Sequence, residues 1–128
     1  MPTSKTENIV INVESKFESN KSSPSQGEFI FSYQISIINN SSETVQLLSR
    51  HWYIFDSNAE YHEVKGEGVI GEKPVILPGQ QHDYESFCNL KTDIGMMWGT
   101  YLMKRVKDNK LFEVKIPEFQ LISPSRLN

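Results

Sequence analysis

Glycines recur at the spacing of a phosphate-binding loop. Residues 66–71 read Gly-Glu-Gly-Val-Ile-Gly, which matches G-x-G-x-x-G, a motif whose backbone amides approach a pyrophosphate at the start of a helix. Pro74 and Pro78 follow closely, so no helix can supply those amides, and the context argues against a dinucleotide fold. A bare loop can still form an anion-binding nest; alternatively, the glycines allow tight turns and close backbone packing. The residues of the candidate anion site are Lys65, Gly66, Gly68, Gly71, Lys73 and Arg50.

Histidines are the best candidates for metal ligands. The three of them, His51, His62 and His82, show no ligand spacing such as H-x-x-x-H. His51 and His62 lie on either side of a predicted turn at residues 56–59, so a hairpin would bring this pair together. Two histidines form an incomplete site without a carboxylate from elsewhere. We therefore expect no cofactor and keep direct divalent metal binding at His51 and His62 as an alternative.

No residue pattern indicates catalysis. His82 and Cys88 are six residues apart on one predicted strand, which separates them by roughly 20 Å, too far for a nucleophile and its base. The sequence contains no G-x-S-x-G and no carboxylate pair marked out for acid–base work. We expect a protein that is not an enzyme.

Charge and composition exclude several classes of protein. The 13 Lys and Arg against 16 Asp and Glu give a net charge of −3, which argues against nucleic-acid binding. Cys88 is the single cysteine, so no internal disulfide can form, and a reducing compartment suits the chain. No apolar run reaches the roughly 18 to 20 residues of a membrane helix, and residues 1–6 lack the apolar stretch of a signal peptide. We expect a cytoplasmic protein without membrane insertion.

Period-two patterns predict an all-β protein. Ala59 is the single alanine, which is unfavourable for helices, whereas the abundant β-branched and aromatic residues favour strands. The predicted strands cover residues 8–17, 29–37, 44–55, 61–65, 81–88, 96–106 and 110–117. About seven short strands are typical of an antiparallel sandwich of the immunoglobulin or fibronectin type III kind, with a closed barrel as the alternative.

The loops complete a single predicted domain over residues 1–128. Residues 20–27 form a serine-rich loop, and residues 66–79 form a long loop whose interior is apolar. We expect a core over about residues 8–119 and flexible ends, with residues 120–128 loosely attached.

Aromatic and methionine side chains concentrate on two predicted strands. The strands around Trp52 and Trp98 are apolar on both faces, so one face of each is expected in the core and the other beneath the 66–79 loop or against a partner. Arg50 lies among these apolar residues, and a carboxylate such as Asp56 or Glu63 is its expected companion. The candidate partner surface consists of Trp52, Tyr53, Trp98 and Tyr101.

With these residues in view, the chain resembles the ApaG family. The match runs through Leu47, Arg50, Trp52, Ile54 and Asp56, then Glu63-Val64-x-Gly66-x-Gly68-Val69-Ile70-Gly71, Pro74, Leu77-Pro78-Gly79, Tyr84-x-Ser86, Leu90-x-Thr92, Gly95-x-Met97-x-Gly99-x-Tyr101-x-Met103 and Phe112-x-Val114-x-Ile116-Pro117. This series covers nearly the whole domain and is far more specific than the glycine motif inside it. The departures, at Lys73, Asp93 and Phe87-Cys88, concern loop geometry.

The resemblance implies a fibronectin type III-like sandwich and a binding function. Bacterial members are small stand-alone proteins linked to cobalt and magnesium tolerance and efflux, without an established enzyme activity. Eukaryotic members look like protein-interaction modules. The absence of a flanking domain favours the stand-alone bacterial form.

We therefore expect a protein-interaction module whose partner binds at a sandwich face or at the glycine-rich loop. A homo-oligomer is an open alternative for that partner. Binding of a small anion, pyrophosphate or a nucleotide, at the glycine-rich loop is a second hypothesis, and direct binding of a divalent metal is a third.

Overall fold

Two antiparallel β-sheets pack face to face in the computed structural model, which describes residues 1–127. The nine strands of these residues are β1 (Thr3–Thr6), β2 (Ile9–Phe17), β3 (Phe29–Asn39), β4 (Val45–Asp56), β5 (Glu60–Glu67), β6 (Val75–Ile76), β7 (Gln81–Leu90), β8 (Ile94–Arg105) and β9 (Lys110–Ile122). The first sheet has the order β1-β2-β3-β7, and the second has the order β5-β4-β8-β9 with β6 paired to the start of β4. The all-β antiparallel sandwich expected from the sequence is confirmed, while the finer fibronectin type III description stays a prediction.

The core lies between the sheets and is built from alternate side chains. Along β2 and β8 the inward positions are buried, as a period-two pattern requires. A β-bulge at Leu48 shifts the alternation of β4, so Leu47 and then Arg50 and Trp52 face inward. The largest fully buried side chains are Tyr101, Phe31, Ile9, Ile11, Ile35, Ile37, Leu47, Leu90, Met97, Met103, Ile116 and Leu121.

Two strands were missed by the sequence analysis. β1 is polar, so no hydrophobic period marks it; it pairs with β2 through a two-residue turn in which Glu7 and Asn8 have φ of 47° and 64°. β6 is a two-residue strand inside the predicted 66–79 loop, too short to show a period.

The predicted loose attachment of residues 120–128 is wrong for the start of that segment. β9 continues to Ile122, and Phe119 and Leu121 are buried in the core. A β-bulge at Pro117 and Glu118 shifts the alternation by one residue. The apolar pattern therefore breaks at Pro117 although the strand continues.

One side of the sandwich is sealed and the other is open. On the sealed side, Ser4 Oγ donates to Lys115 O at 2.5 Å and Lys115 N donates to Thr6 Oγ1 at 3.2 Å, which joins β1 to β9. On the opposite side, β7 and β5 are edge strands of their sheets, and within the described residues neither pairs with a second strand.

The helices within residues 1–127 are short 3₁₀ turns, and none has the length and apolar character that a membrane-spanning helix requires.

We predict that Gly99→Ala lowers the free energy of unfolding by about 3 kcal/mol, because a packed backbone would have to shift. Gly99 lies opposite Trp52, and a Cβ at this position would be 2.1 Å from His51 O. Gly71→Ala is the control: φ is +73° and nothing lies within 4 Å, so only a backbone cost of about 1 kcal/mol applies. Urea denaturation measures both, and equal losses would contradict the prediction.

Candidate functional site

The glycine-rich loop closes with a tight reverse turn. Val69 N donates to Glu72 O at 2.8 Å, and Glu72 N donates back to Val69 O at 3.0 Å. The two residues between them, Ile70 and Gly71, have φ of 48° and 73°. These are the features of a type I′ two-residue turn. Glycine suits the second position, whereas the β-branched Ile70 adopts the left-handed conformation at a cost in strain.

Arg50 is held by the carbonyl groups of this loop. Its Nη1 donates to Glu67 O at 3.0 Å and to Gly68 O at 2.9 Å. Gly66 lies opposite Arg50 in the register of β4 and β5, and a Cβ there would be 2.7 Å from the guanidinium carbon. The absence of a side chain at Gly66 therefore leaves room for the guanidinium. We call the contact of Arg50 with Gly66, Glu67 and Gly68 the arginine clamp.

The prediction that Asp56 or Glu63 pairs with Arg50 is wrong. Asp56 is buried, and it accepts hydrogen bonds from Lys91 N at 2.6 Å and from the Thr92 hydroxyl. Glu63 lies on the outer face of the second sheet, where its Oε1 is 2.5 Å from His51 Nε2. Backbone carbonyls take the place of a carboxylate. Because every residue carries a carbonyl, the sequence does not indicate which ones bind Arg50.

The polarity of the loop is opposite to that of an anion nest. A nest requires amides that converge on one point, but the carbonyls of Glu67 and Gly68 converge on a cation instead. The amides of Gly68, Val69 and Glu72 donate to protein carbonyls. Anion binding at this loop stays a prediction, without the convergent amides that it requires.

The two predicted lysines of the anion site differ in their surroundings. Lys73 Nζ is 3.3 Å from Glu67 Oε1. Lys65 lies opposite His51 and is exposed on the outer face of the second sheet, whereas Arg50 and Gly66 face inward. Arg50, Lys65 and Gly66 nevertheless line one open groove of about 460 Å³ together with His51 and Glu67, whereas Lys73 is not among its lining residues.

A cavity of about 200 Å³ lies beneath the loop, on the open side of the sandwich. Tyr33, Tyr84 and Ser86 line it from the first sheet, and Arg50 and Trp52 line it from the second. The loop residues that cover it are Glu67, Val69, Ile70 and Gly71.

Burial raises the pKa of the acidic groups in and near this cavity. It raises the pKa of Tyr33 and Tyr84 above the usual value for a phenol, and it raises the pKa of Tyr101 still more strongly, with the nearby Tyr84 adding to the effect. The hydroxyl groups of Tyr84 and Tyr101 form a hydrogen bond. Burial, with a smaller contribution from Asp56, raises the pKa of Cys88 to about 12. A protonated thiol and protonated phenols are poor nucleophiles at neutral pH.

The predicted histidine pair is not formed. His51 lies opposite Lys65 and His62 lies opposite Ile54, so the two imidazoles are on opposite faces of the sheet. His62 Nε2 is 3.5 Å from Glu60 Oε2. Among residues 1–127 there is no group of three or more His, Cys, Asp and Glu side chains that could hold a metal ion.

Aromatic rings cover the outer face of the second sheet. Tyr53 and Trp98 are directly opposite in β4 and β8 and stack, with ring centroids 5.8 Å apart and planes at 11°. Tyr61 meets Trp98 edge-on at 6.3 Å and 85° and is 68% exposed. His51 stacks on Tyr53, and Phe55 packs against Tyr61. We call these five residues the aromatic face.

The predicted partner surface is divided between the core and this face. Trp52 and Tyr101 are buried in the core, whereas Tyr53 and Trp98 are half-buried on the outer face. Tyr61 also belongs to this face and was not predicted, although the predicted hairpin pairs its strand with that of Trp52 and Tyr53.

Comparison with known proteins identifies the family. Residues 19–105 match the model of the ApaG domain. The chain is 44% identical to Protein ApaG of Anaeromyxobacter dehalogenans over 128 residues, which is all of both chains, and 44% identical to Protein ApaG of Brucella canis over 121 residues, which is 94% of this chain and 92% of the relative. The crystal structure of a protein designated ApaA from Bordetella pertussis superposes with a TM-score of 0.87 at 37% identity and covers 96% of each chain. The chain therefore belongs to the ApaG family, as the sequence resemblance indicated.

A more distant likeness concerns the fold alone. A protein from Archaeoglobus fulgidus superposes with a TM-score of 0.53 at 7% identity and covers 88% of this chain and 95% of its own.

The arginine clamp predicts that the effects of substitutions at Arg50 and Gly66 on the free energy of unfolding are not additive. Arg50→Ala is expected to cost about 2 kcal/mol of stability, because two charge-assisted hydrogen bonds are lost. Gly66→Ala is expected to cost about 1 kcal/mol in the wild type, because its methyl group displaces the guanidinium, and close to nothing in the Arg50→Ala background. Urea denaturation of the four proteins measures the coupling; additive losses would show that the clamp does not exist.

The buried phenols and thiol predict a loss of stability in alkali. In the unfolded chain Cys88 and the tyrosines ionise at their ordinary pKa values, 9.0 and 10.0. Their pKa values are raised in the folded protein, so their contribution to the free energy of unfolding is complete at lower pH. It is lost as pH rises above the ordinary pKa, which is 9.0 for Cys88 and 10.0 for the tyrosines. Between its unfolded and folded pKa values, each group lowers the free energy of unfolding by about 1.4 kcal/mol per pH unit.

Urea denaturation at pH 8 and at about pH 10.5 tests this linkage. Tyr84→Phe should show a shallower decline than the wild type, because one raised phenol pKa is removed and that of its partner Tyr101 is altered. A stability that is constant over this range would contradict the prediction.

Proposed function

We propose that the chain is a protein-interaction module without catalytic activity, and that a protein partner binds to the aromatic face. The exposure of Tyr61 carries this proposal. Its ring is 68% exposed although it adjoins the half-buried rings of Phe55 and Trp98, so a contiguous apolar surface reaches solvent. Tyrosine and tryptophan provide much of the binding energy at protein interfaces.

The surroundings of the aromatic face suit a protein rather than a polyanion. A shallow groove of about 400 Å³ adjoins Tyr53 and Trp98, and Glu113, Lys115 and Glu118 are among the residues that line it. Charges of both signs around an apolar centre are typical of the polar rim of a protein interface. A nucleic acid would require a surplus of cations at this position.

The cavity beneath the loop supports the absence of catalysis. Its phenols, and the thiol of Cys88 near them, have pKa values that burial raises above the ordinary values, so neither type of group is activated by its surroundings. Protonated phenols and thiols can donate hydrogen bonds, but they do not attack a substrate.

The family link to cobalt and magnesium tolerance is proposed to act through the partner. The described residues offer no cluster of three or more possible ligands, so a direct metal site lacks support. A partner that itself handles these cations would account for the link. The buried free thiol of Cys88 is consistent with a reducing compartment, and we propose a cytoplasmic location.

Photocrosslinking in the cells that naturally produce the protein tests the proposed contact. A benzophenone amino acid replaces Tyr61 in one variant and Leu111, which is 56% exposed on β9, in a matched control. We expect a light-dependent covalent adduct with another protein from position 61 and none from position 111. Trp98→Thr should weaken the adduct from position 61, because it removes the ring on which Tyr61 packs. No adduct from position 61, or equal adducts from both positions, would contradict the proposal.

A further inference from the structure

The outer edge of β7 offers unpaired backbone groups along its whole length. β7 pairs with β3 in an unbroken register from Phe29 opposite Leu90 to Ile38 opposite Gln81. No described strand lies on its other side. Its ten residues contain no proline and no bulge, two of the devices that protect an edge strand from pairing. It does carry the charged residues Asp83 and Glu85, which disfavour pairing with any strand that lacks cations. The edge is therefore a template for another strand.

The first sheet is too narrow on this side to cover the second. Val64 of β5 lies opposite the buried Trp52 and so faces inward, yet it is 39% exposed. His62 faces the same way, and its side chain is 51% exposed. Ile70, at the tip of the loop over the 200 Å³ cavity, is 61% exposed. One more strand beside β7 would extend the first sheet over these side chains and over the open side of the cavity.

The charges along β7 specify the outward side chains of such a strand. Asp83 and Glu85 are exposed on the outer face, where Asp83 accepts from Gln81 at 3.0 Å and Glu85 accepts from Gln34 at 3.2 Å. Glu14 lies in the same cross-strand row as Gln34 and Glu85. Neither Asp83 nor Glu85 forms an ion pair within the described part of the chain. Lysine or arginine at alternate positions of an added strand would supply the missing cations.

From these observations we propose that β7 binds an extended segment of a partner protein as a fifth strand of the first sheet. Alternate side chains of the segment are lysine or arginine and lie beside Asp83 and Glu85. The intervening side chains are apolar and lie over Val64 and Ile70. Backbone hydrogen bonds provide the affinity and alternate side chains the specificity, as in other cases of strand addition. A second copy of the chain is a poorer occupant, because pairing β7 with β7 brings four carboxylates together without a cation.

This edge lies apart from the aromatic face, so the two proposals fail separately. The probe is a capped ten-residue peptide of alternating lysine and valine, titrated into the labelled protein at low salt and followed by proton–nitrogen NMR. We expect saturable shifts confined to residues 62–72 and 81–90, with slower exchange of the outward β7 amides. A peptide N-methylated at alternate residues on its pairing edge should not bind, because half of its hydrogen-bond donors are removed.

The protein variants test the charge requirement. Asp83→Asn with Glu85→Gln should weaken binding of the lysine–valine peptide about tenfold at low salt. A glutamate–valine peptide should not bind the wild type. Tyr61→Thr is the matched control; it should bind the lysine–valine peptide like the wild type, whatever its effect on the crosslinking experiment.

Three outcomes would overturn this proposal. They are no saturable shift at a peptide concentration of about 1 mM, equal binding of the N-methylated peptide, and shifts confined to the aromatic face. Sedimentation of the free protein as a dimer, strengthened by the Asp83→Asn and Glu85→Gln pair because the repulsion between carboxylates is removed, would show that a second copy occupies the edge instead.

Discussion

The hydrogen bonds of Arg50 to the carbonyls of Glu67 and Gly68 determine the arrangement of the open side of the sandwich. The bulge at Leu48 turns this side chain inward, and Gly66 leaves room for its guanidinium. The loop then wraps over the cation with its carbonyl oxygens directed at the positive charge. A glycine pattern shared with phosphate-binding loops therefore builds a site of opposite polarity, in which the positive charge belongs to the protein itself. The amides of Gly68, Val69 and Glu72 donate to protein carbonyls.

The features on which the two binding proposals rest lie on the surface of the protein. The cavity beneath the loop is lined by the phenols of Tyr33 and Tyr84, whose pKa values burial raises above the usual value for tyrosine. Outside, the rings of Tyr53, Tyr61 and Trp98 are continuous with solvent, and the outer edge of β7 has no partner strand among the described residues. Burial of an exposed apolar surface and pairing of an unpaired strand edge both favour association with another chain.

The sequence predicted the sandwich because alternation such as that of residues 29–37 depends only on neighbouring positions. It failed where a bulge changed the phase: at Pro117 the pattern breaks although β9 continues, and near Leu48 the facing of Arg50 could not be inferred. The candidate site was harder still. The partners of Arg50 are backbone carbonyls, which every residue carries, and His51 and His62 lie on opposite faces because of a register that no motif records. The family resemblance identified the fold but not these contacts.

We infer that the glycine-rich loop uses its hydrogen-bonding capacity within the protein. The most direct test is a proton–nitrogen NMR titration of the labelled protein with pyrophosphate, ATP, Mg²⁺ and Co²⁺ in turn, observed at the amides of residues 66–73. If the arginine clamp is correct, these amides show no saturable shift with either anion, and Co²⁺ causes no localised paramagnetic broadening around them. Saturable shifts confined to residues 66–73 would show that the loop binds an external ligand and would contradict this account.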